Sequence, residues 1–219
     1  AHRRHIVTIR PGEPWGETRT APEGLIVADD ETGLADVVAD GRRDVALRTG
    51  ELLRALGRAP TNARTTSQRD TVPRPGESGL ALPFDAYDVV LRRGTDEQHL
   101  VAVSTVIIGT LRTPHWWASS GGFVGPLNAS PRAHPNDGVI DTLEYTRQPS
   151  LRTLLAIRRR MRLGDHLPHP ALTARRVEHA EWQGSRPAPV IVDGRHRGRF
   201  DAVTVAVRPD AFTLWVLAQ

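Results

Sequence analysis

The chain has 219 residues, of which 39% are hydrophobic and 25% charged, with a formal net charge of +4. That is enough for one large or two small domains with a buried core, and the balance is that of a globular protein facing water. No apolar run approaches the roughly 20 residues of a membrane-spanning helix, there is no Cys, and all 29 basic residues are Arg, so disulfides, thiolate catalysis, Schiff-base lysines and a phosphate-loop lysine are excluded together.

Residues 1–20 are basic and turn-rich. His5–Ile9 alternates weakly and predicts a short strand ended by Pro11, Gly12 and Pro14. No secretory leader is legible, and a start at Ala1 is compatible with trimming. Residues 24–57 read as β-α-β-α. Leu25–Ala28 is a short buried strand, and Asp29 or Asp30 caps a helix carrying Leu34, Val37 and Val38 at helical spacing up to Gly41. Val45–Leu47 is a second strand, and Glu51–Leu56 a second helix stopped by Gly57. This alternation favours a small parallel sheet. Residues 58–79, rich in Pro, Gly, Thr, Ser and Arg, read as a linker or loop.

Residues 80–219 are mainly β in pattern. The expected strands are Asp85–Leu91, His99–Ile108, Phe123–Ala129, Val139–Thr146, Leu172–Val177, Pro189–Val192, Val203–Val207 and Thr213–Leu217. One helix interrupts them from about Ser150 to Arg162, with an apolar stripe of Leu151, Leu154, Leu155, Ile157 and Met161. The expected fold class is therefore α+β: a small N-terminal α/β segment (1–57), a linker (58–79), and a mainly antiparallel β-sandwich with one inserted helix (80–219).

Two turns carry the chemistry. His134-Pro-Asn-Asp-Gly-Val139 is a tight turn presenting the Asp137 carboxylate beside backbone carbonyls, an all-oxygen set that suits a hard cation, although a bare Asx turn has the same sequence. Val192-Asp-Gly-Arg195 is a second Asp-Gly corner, readable as a hairpin turn or as an acidic site, and Arg195, His196, Arg197 and Arg199 make it cationic. Weaker signals are Gly164-Asp-His166 with Pro168-His-Pro170, where His166 and His169 could serve acid–base or metal chemistry. In Thr113-Pro-His-Trp-Trp117, read as a loop with Gly121-Gly122, Trp116 and Trp117 cannot both face one core, so one is a candidate for an apolar pocket, with core packing as the equal alternative. Arg158–Arg160 with Arg162 form a basic patch that is either a solvated helix face or an anchor for anionic headgroups. No recognition motif or stacking platform accompanies the charge, which excludes nucleic acid as the expected partner.

Taken in order, the Asn-Asp-Gly turn and its following strand, the inserted helix, Gly-x-His, the Asp-Gly corner and the closing Arg208-Pro-Asp-Ala-Phe-Thr-Leu-Trp215 resemble the C-terminal half of the diacylglycerol and sphingosine lipid-kinase family. The resemblance implies a structural magnesium ion held by the Asp137 side chain and the main-chain carbonyls of His134 and Val139. It implies ATP as phosphoryl donor, with a nucleotide loop whose counterpart is Thr49, Gly50 and Glu51, and an acidic catalytic corner whose counterpart is Asp193 with Arg195. It further implies a lipid or anionic small molecule as ligand, peripheral membrane contact, a cytoplasmic location and compatibility with a homodimer. The chain departs from the family at these same positions. Arg195 stands where the family has a Glu acting as proton acceptor, and Arg cannot be a general base. Only Gly50 matches the family's glycine loop, and the N-terminal α/β part is abbreviated. The expected function is a lipid-kinase-like protein, degenerate in catalysis, binding a lipid or phosphorylated ligand; the alternative is an active ATP- and magnesium-dependent lipid kinase. A different small-molecule enzyme on the same scaffold would draw on His134, His166, His169 and Asp193.

Overall fold

The structure, a computed structural model, describes residues 15–57, 72–110 and 112–218. The strand expected at His5–Ile9 and most of the 58–79 linker lie outside the described residues. The remaining chain is a largely antiparallel β structure with three helices, an α+β fold with a β-sandwich-like domain and one inserted helix.

The N-terminal part contains β1 (Glu17–Thr20), β2 (Ile26–Ala28), α1 (Glu31–Ala39), β3 (Asp44–Leu47) and α2 (Glu51–Ala55). Asp30 starts α1 by accepting the Gly33 N–H at 2.9 Å, as a short polar side chain at a helix N-cap does. β2 and β3 pair in parallel, as the βαβα pattern requires. They do not form a sheet of their own: β3 pairs in parallel with residues 213–215 of β13 (Arg195–Leu217) and so joins the main sheet.

The main sheet runs in the order β1, β4 (Ser78–Arg93), β13, β12 (His179–Val192), β6 (Thr105–Gly109), β7 (Pro114–Ser119), β10 (Ile140–Tyr145), β11 (Leu172–Val177), with β5 (Asp96–Ala102) paired to β4. β4 and β13 are the spine. In β4, Leu82, Phe84 and Ala86 enter the core beneath α1 and α2, whereas Tyr87, Val89 and Leu91 enter a second core with β12 and β13. The buried face thus switches sides midway, which turns a strand of period two into a near-continuous apolar run. The inserted helix is α3 (Leu151–Met161), capped by Ser150, whose Oγ accepts from Thr153 N at 3.2 Å. Its Leu154, Ile157 and Met161 pack on Trp117, Leu143 and Tyr145.

Three expectations change in detail. The single strand read over His99–Ile108 is broken at Val103-Ser104 into β5 and β6, for a reason given below. Phe123–Ala129 is a small hairpin, β8 (Phe123–Val124) with β9 (Leu127–Asn128). The Trp116-Trp117 segment is the strand β7 and not a loop. It is buried on both faces, with Trp116 4% and Trp117 2% exposed in different cores, so neither ring is left for a pocket.

Candidate functional site

The Asp-Gly corner is a two-residue hairpin turn. Val192 pairs with Arg195 across it, and Asp193 (φ 47°) and Gly194 (φ 78°) both take the left-handed conformation that such turns need. The Asp193 side chain points inward and is 3% exposed. Its carboxylate accepts the N–H groups of Val103 (2.8 Å), Ser104 (2.9 Å) and Thr105 (2.8 Å). These three amides lie where β5 gives way to β6, so the clamp explains the break in that strand. Burial pushes Asp193 up to about 7 despite three donors that favour its anion.

Two further carboxylates converge on this corner from the α/β segment. Thr32 of α1 donates its hydroxyl to the Asp193 carbonyl at 2.5 Å. Glu31, 7% exposed, accepts the N–H of Leu52 in the first turn of α2 at 3.0 Å. Glu51 accepts the Gly125 N–H at 2.7 Å and lies 3.5 Å from the Ser104 hydroxyl. Burial pushes Glu31 up to about 7, with repulsion from Glu51 and Asp193 adding to it, and burial also raises Glu51. The structure therefore brings together two sequence-expected residues, Asp193 and Glu51, and adds Glu31, which has no distinguishing signal in the sequence beside Asp29 and Asp30.

The remaining expected nucleotide residues have local tasks. Thr49 bonds the Asp29 carbonyl through its backbone N–H (3.1 Å) and its hydroxyl (2.9 Å). Gly50 precedes α2 at φ +147°, where a Cβ would run into the Glu31 carboxylate. A phosphate at a helix N-terminus uses free N–H groups; here Glu31 already supplies the anion, so the residues present do not fit a nucleotide phosphate at this loop. Gly50→Ala is expected to cost roughly 2–4 kcal/mol, because the backbone region is open only to glycine and the methyl displaces Glu31. A urea midpoint unchanged from the parent chain would contradict this. Arg195 leaves the corner altogether and pairs with Asp36 of α1 at 3.4 Å, with both side chains about half exposed.

The Asn-Asp-Gly turn lies against β4 and β13. Its hub is Asp85, 3% exposed, which accepts Gly138 N (2.8 Å) and Asp210 N (2.9 Å). With its amide turned to donate, Asn136 reaches Asp85 Oδ1 at 2.8 Å and Asp210 Oδ1 at 3.2 Å. Burial pushes Asp85 up to about 6. His134 packs edge-on against Trp15, with ring centroids 4.5 Å apart, and burial lowers its pKa. Asp137 accepts the Val139 N–H at 3.3 Å and pairs with Arg176. The Arg176 Nε also lies 3.6 Å from Asp141, opposite it in the β10–β11 register. Burial pushes Asp141 up to about 6, against the attraction of Arg176.

Magnesium asks for a near-octahedral oxygen shell. At this turn a guanidinium already fills the counter-charge position between Asp137 and Asp141. No group of three or more His, Asp or Glu side chains placed to hold a metal occurs among the described residues. A magnesium ion at the Asp137 carboxylate would therefore have to displace Arg176. Asp85, Asp141 and Arg176 were missed in the sequence. Asp85 had one signal, a lone acid in an apolar strand; the other two become partners only through strand register.

Beside Arg176 lies a cleft of about 870 Å³ between Ser130–Arg132, β11 and the loop that follows α3. Leu167, Pro168, Pro170 and Leu172 give it apolar walls, and Arg132, Asp141, His169, Arg175 and Arg176 line it as well. His166 is not in it. That ring is 1% exposed, with Nε2 3.1 Å from the Ala129 carbonyl, and burial lowers its pKa.

Residues 114–216, from β7 through β13, match the family model of the YegS C-terminal NAD kinase beta sandwich-like domain. Among solved structures, two diacylglycerol kinase-type proteins from Bacillus anthracis str. Sterne share the fold. One aligns at TM-score 0.54 and 10% identity over 87% of this chain and 77% of its own. The other aligns at TM-score 0.51 and 14% identity over 87% and 75%. Comparison with curated protein sequences returns no match. Residues 114–216 are thus similar to a YegS C-terminal NAD kinase beta sandwich-like domain, and the chain as a whole shares the fold of these diacylglycerol kinase-type structures.

Proposed function

We propose that the chain is a non-catalytic member of the lipid-kinase superfamily that binds an anionic amphiphile, a long-chain molecule with a phosphate or carboxylate head, in the cleft beside Arg176. The observation that carries the reading is the lining of that cleft, where apolar walls adjoin Arg132, Arg175 and His169, while Arg176 is already shared with Asp137 and with Asp141, which also lines the cleft. Such a site buries a chain through the hydrophobic effect and orients the head through charge-assisted hydrogen bonds. Loss of catalysis is supported at each position where the resemblance expects chemistry. The phosphate position at α2 is taken by Glu31, the metal position at Asp137 by Arg176, and the base position by Arg195, which pairs with Asp36.

Calorimetric titration tests the reading. A single-chain lysophosphatidic acid, kept below its micelle concentration, is expected to bind the full chain, and the matching uncharged monoacylglycerol at least tenfold more weakly. Arg132→Glu is expected to weaken the anionic ligand by about tenfold or more, from one lost charge-assisted contact and one added repulsion. Equal affinity for the charged and uncharged ligands would refute the assignment.

An active ATP- and magnesium-dependent lipid kinase is the second reading. One observation favours it: Glu31 and Asp193 are held near 7, the range in which a general acid or base works at neutral pH. Against it, both carboxylates are sealed from solvent and engaged with backbone amides.

A further inference from the structure

The inserted helix α3 buries one face and leaves an unusual second one. Leu154, Ile157 and Met161 fill the core, yet Leu151 is 68% exposed, Leu155 67%, and Leu163 just past the helix end 79%. These are the three most exposed large hydrophobic side chains among the described residues. At about 100° per residue, Leu151, Leu155, Arg159 and Arg162 fall within a quarter-turn of one another on the outward side, with Arg152 beside them. No acidic residue occurs between Arg147 and Gly164. Arg160 has its own partner in Asp165 at 3.6 Å, whereas Arg152, Arg159 and Arg162 stand exposed around the leucines.

Leucines at this exposure are costly in water, and an unrelieved cationic rim repels a second copy of the same face. A surface that is both apolar and negatively charged relieves both. We infer that the outward face of α3, with Leu151, Leu155 and Leu163 inserted and Arg152, Arg159 and Arg162 at headgroup level, docks the protein peripherally on an anionic lipid bilayer. The helix runs directly into Gly164 and Leu167–Pro170, which line the cleft, so docking sets the cleft beside the membrane surface. The inference stands on the exposed face and does not depend on what occupies the cleft.

Vesicle co-sedimentation of the full chain tests it. Binding is expected to phosphatidylglycerol/phosphatidylcholine vesicles and not to pure phosphatidylcholine, and it should weaken between 0.1 and 0.5 M salt as the Arg charges are screened. Leu151→Ser with Leu155→Ser, and separately Arg159→Ser with Arg162→Ser, are each expected to reduce partitioning roughly tenfold or more. Both pairs are exposed, so thermal unfolding should confirm that each variant remains folded. Equal binding to neutral vesicles, undiminished binding by both double variants, or a dimer that the leucine variant dissolves would each overturn the assignment.

Discussion

Asp193→Ala is expected to destabilise the fold by roughly 3–5 kcal/mol, the largest single-residue effect in the α/β–sandwich junction. The Asp193 carboxylate accepts three consecutive backbone amides, and each buried donor left without a partner costs about 1–3 kcal/mol. The change also places Ala at φ 47°, a conformation that Asp tolerates better. Asp193→Asn keeps one acceptor but turns an amide NH2 toward the other donors, and should recover less than half of the loss. Arg195→Ala, two residues away, removes an exposed pair with Asp36 and should change stability by less than about 1 kcal/mol. Urea unfolding of the three variants checks the order. A mild Asp193→Ala would show that the β5–β6 break holds itself open without the clamp.

The second large effect is a loss of stability as pH rises. In the folded chain burial holds Asp85 and Asp141 at about 6, and Glu31 and Asp193 at about 7, against ordinary values of 3.8 for Asp and 4.5 for Glu. The unfolded chain releases these protons earlier, so folding takes up protons in the interval between. The stabilisation from each group is complete below about pH 4 and is lost as pH climbs through 6 to 7. For Asp85 alone, a rise from 3.8 to about 6 corresponds to at most on the order of 3 kcal/mol at about 1.4 kcal/mol per pH unit. Glu97 works in the opposite sense, as do His134 and His166, whose burial disfavours the charged ring and costs stability as pH falls. The bond to Arg92 lowers the Glu97 pKa, so its contribution fades as pH falls. A maximum on the mildly acidic side is the expected result, read as melting temperature from pH 4 to 8. Asp85→Asn should flatten the upper limb. Stability rising steadily from pH 5 to 8 would mean that these carboxyls are ionised at little cost.

Much of the scaffold was legible because its signals are local. The capped α1 and α3, the βαβα order and the clean alternation of Val203–Val207 each follow from spacing within a few residues. The fates of Asp193 and Asp137 were legible only as turns. Whether such a carboxylate faces a ligand or the protein's own backbone depends on what the fold carries to it. Val103–Thr105 are some 90 residues from Asp193, and Arg176 is 39 residues from Asp137. The missed members of the site have the same cause. Arg176 opposes Asp141 only through strand register, and Glu31 caps a helix 20 residues downstream of itself. The Trp116-Trp117 segment reads as a loop in the sequence because a strand buried on both faces carries no polar alternation to mark it, while the core packing held open for these rings is what the fold uses.

On the proposed reading, the chain's own side chains occupy the positions at which the lipid-kinase resemblance expects phosphate and metal. Calorimetric titration of magnesium-ATP into the intact chain, with magnesium alone and metal-free ATP as controls, addresses it most directly. No binding of any of the three at millimolar concentration is the predicted result. Magnesium-dependent ATP binding that weakens in Glu51→Gln would contradict the claim and restore phosphoryl transfer as the chain's activity.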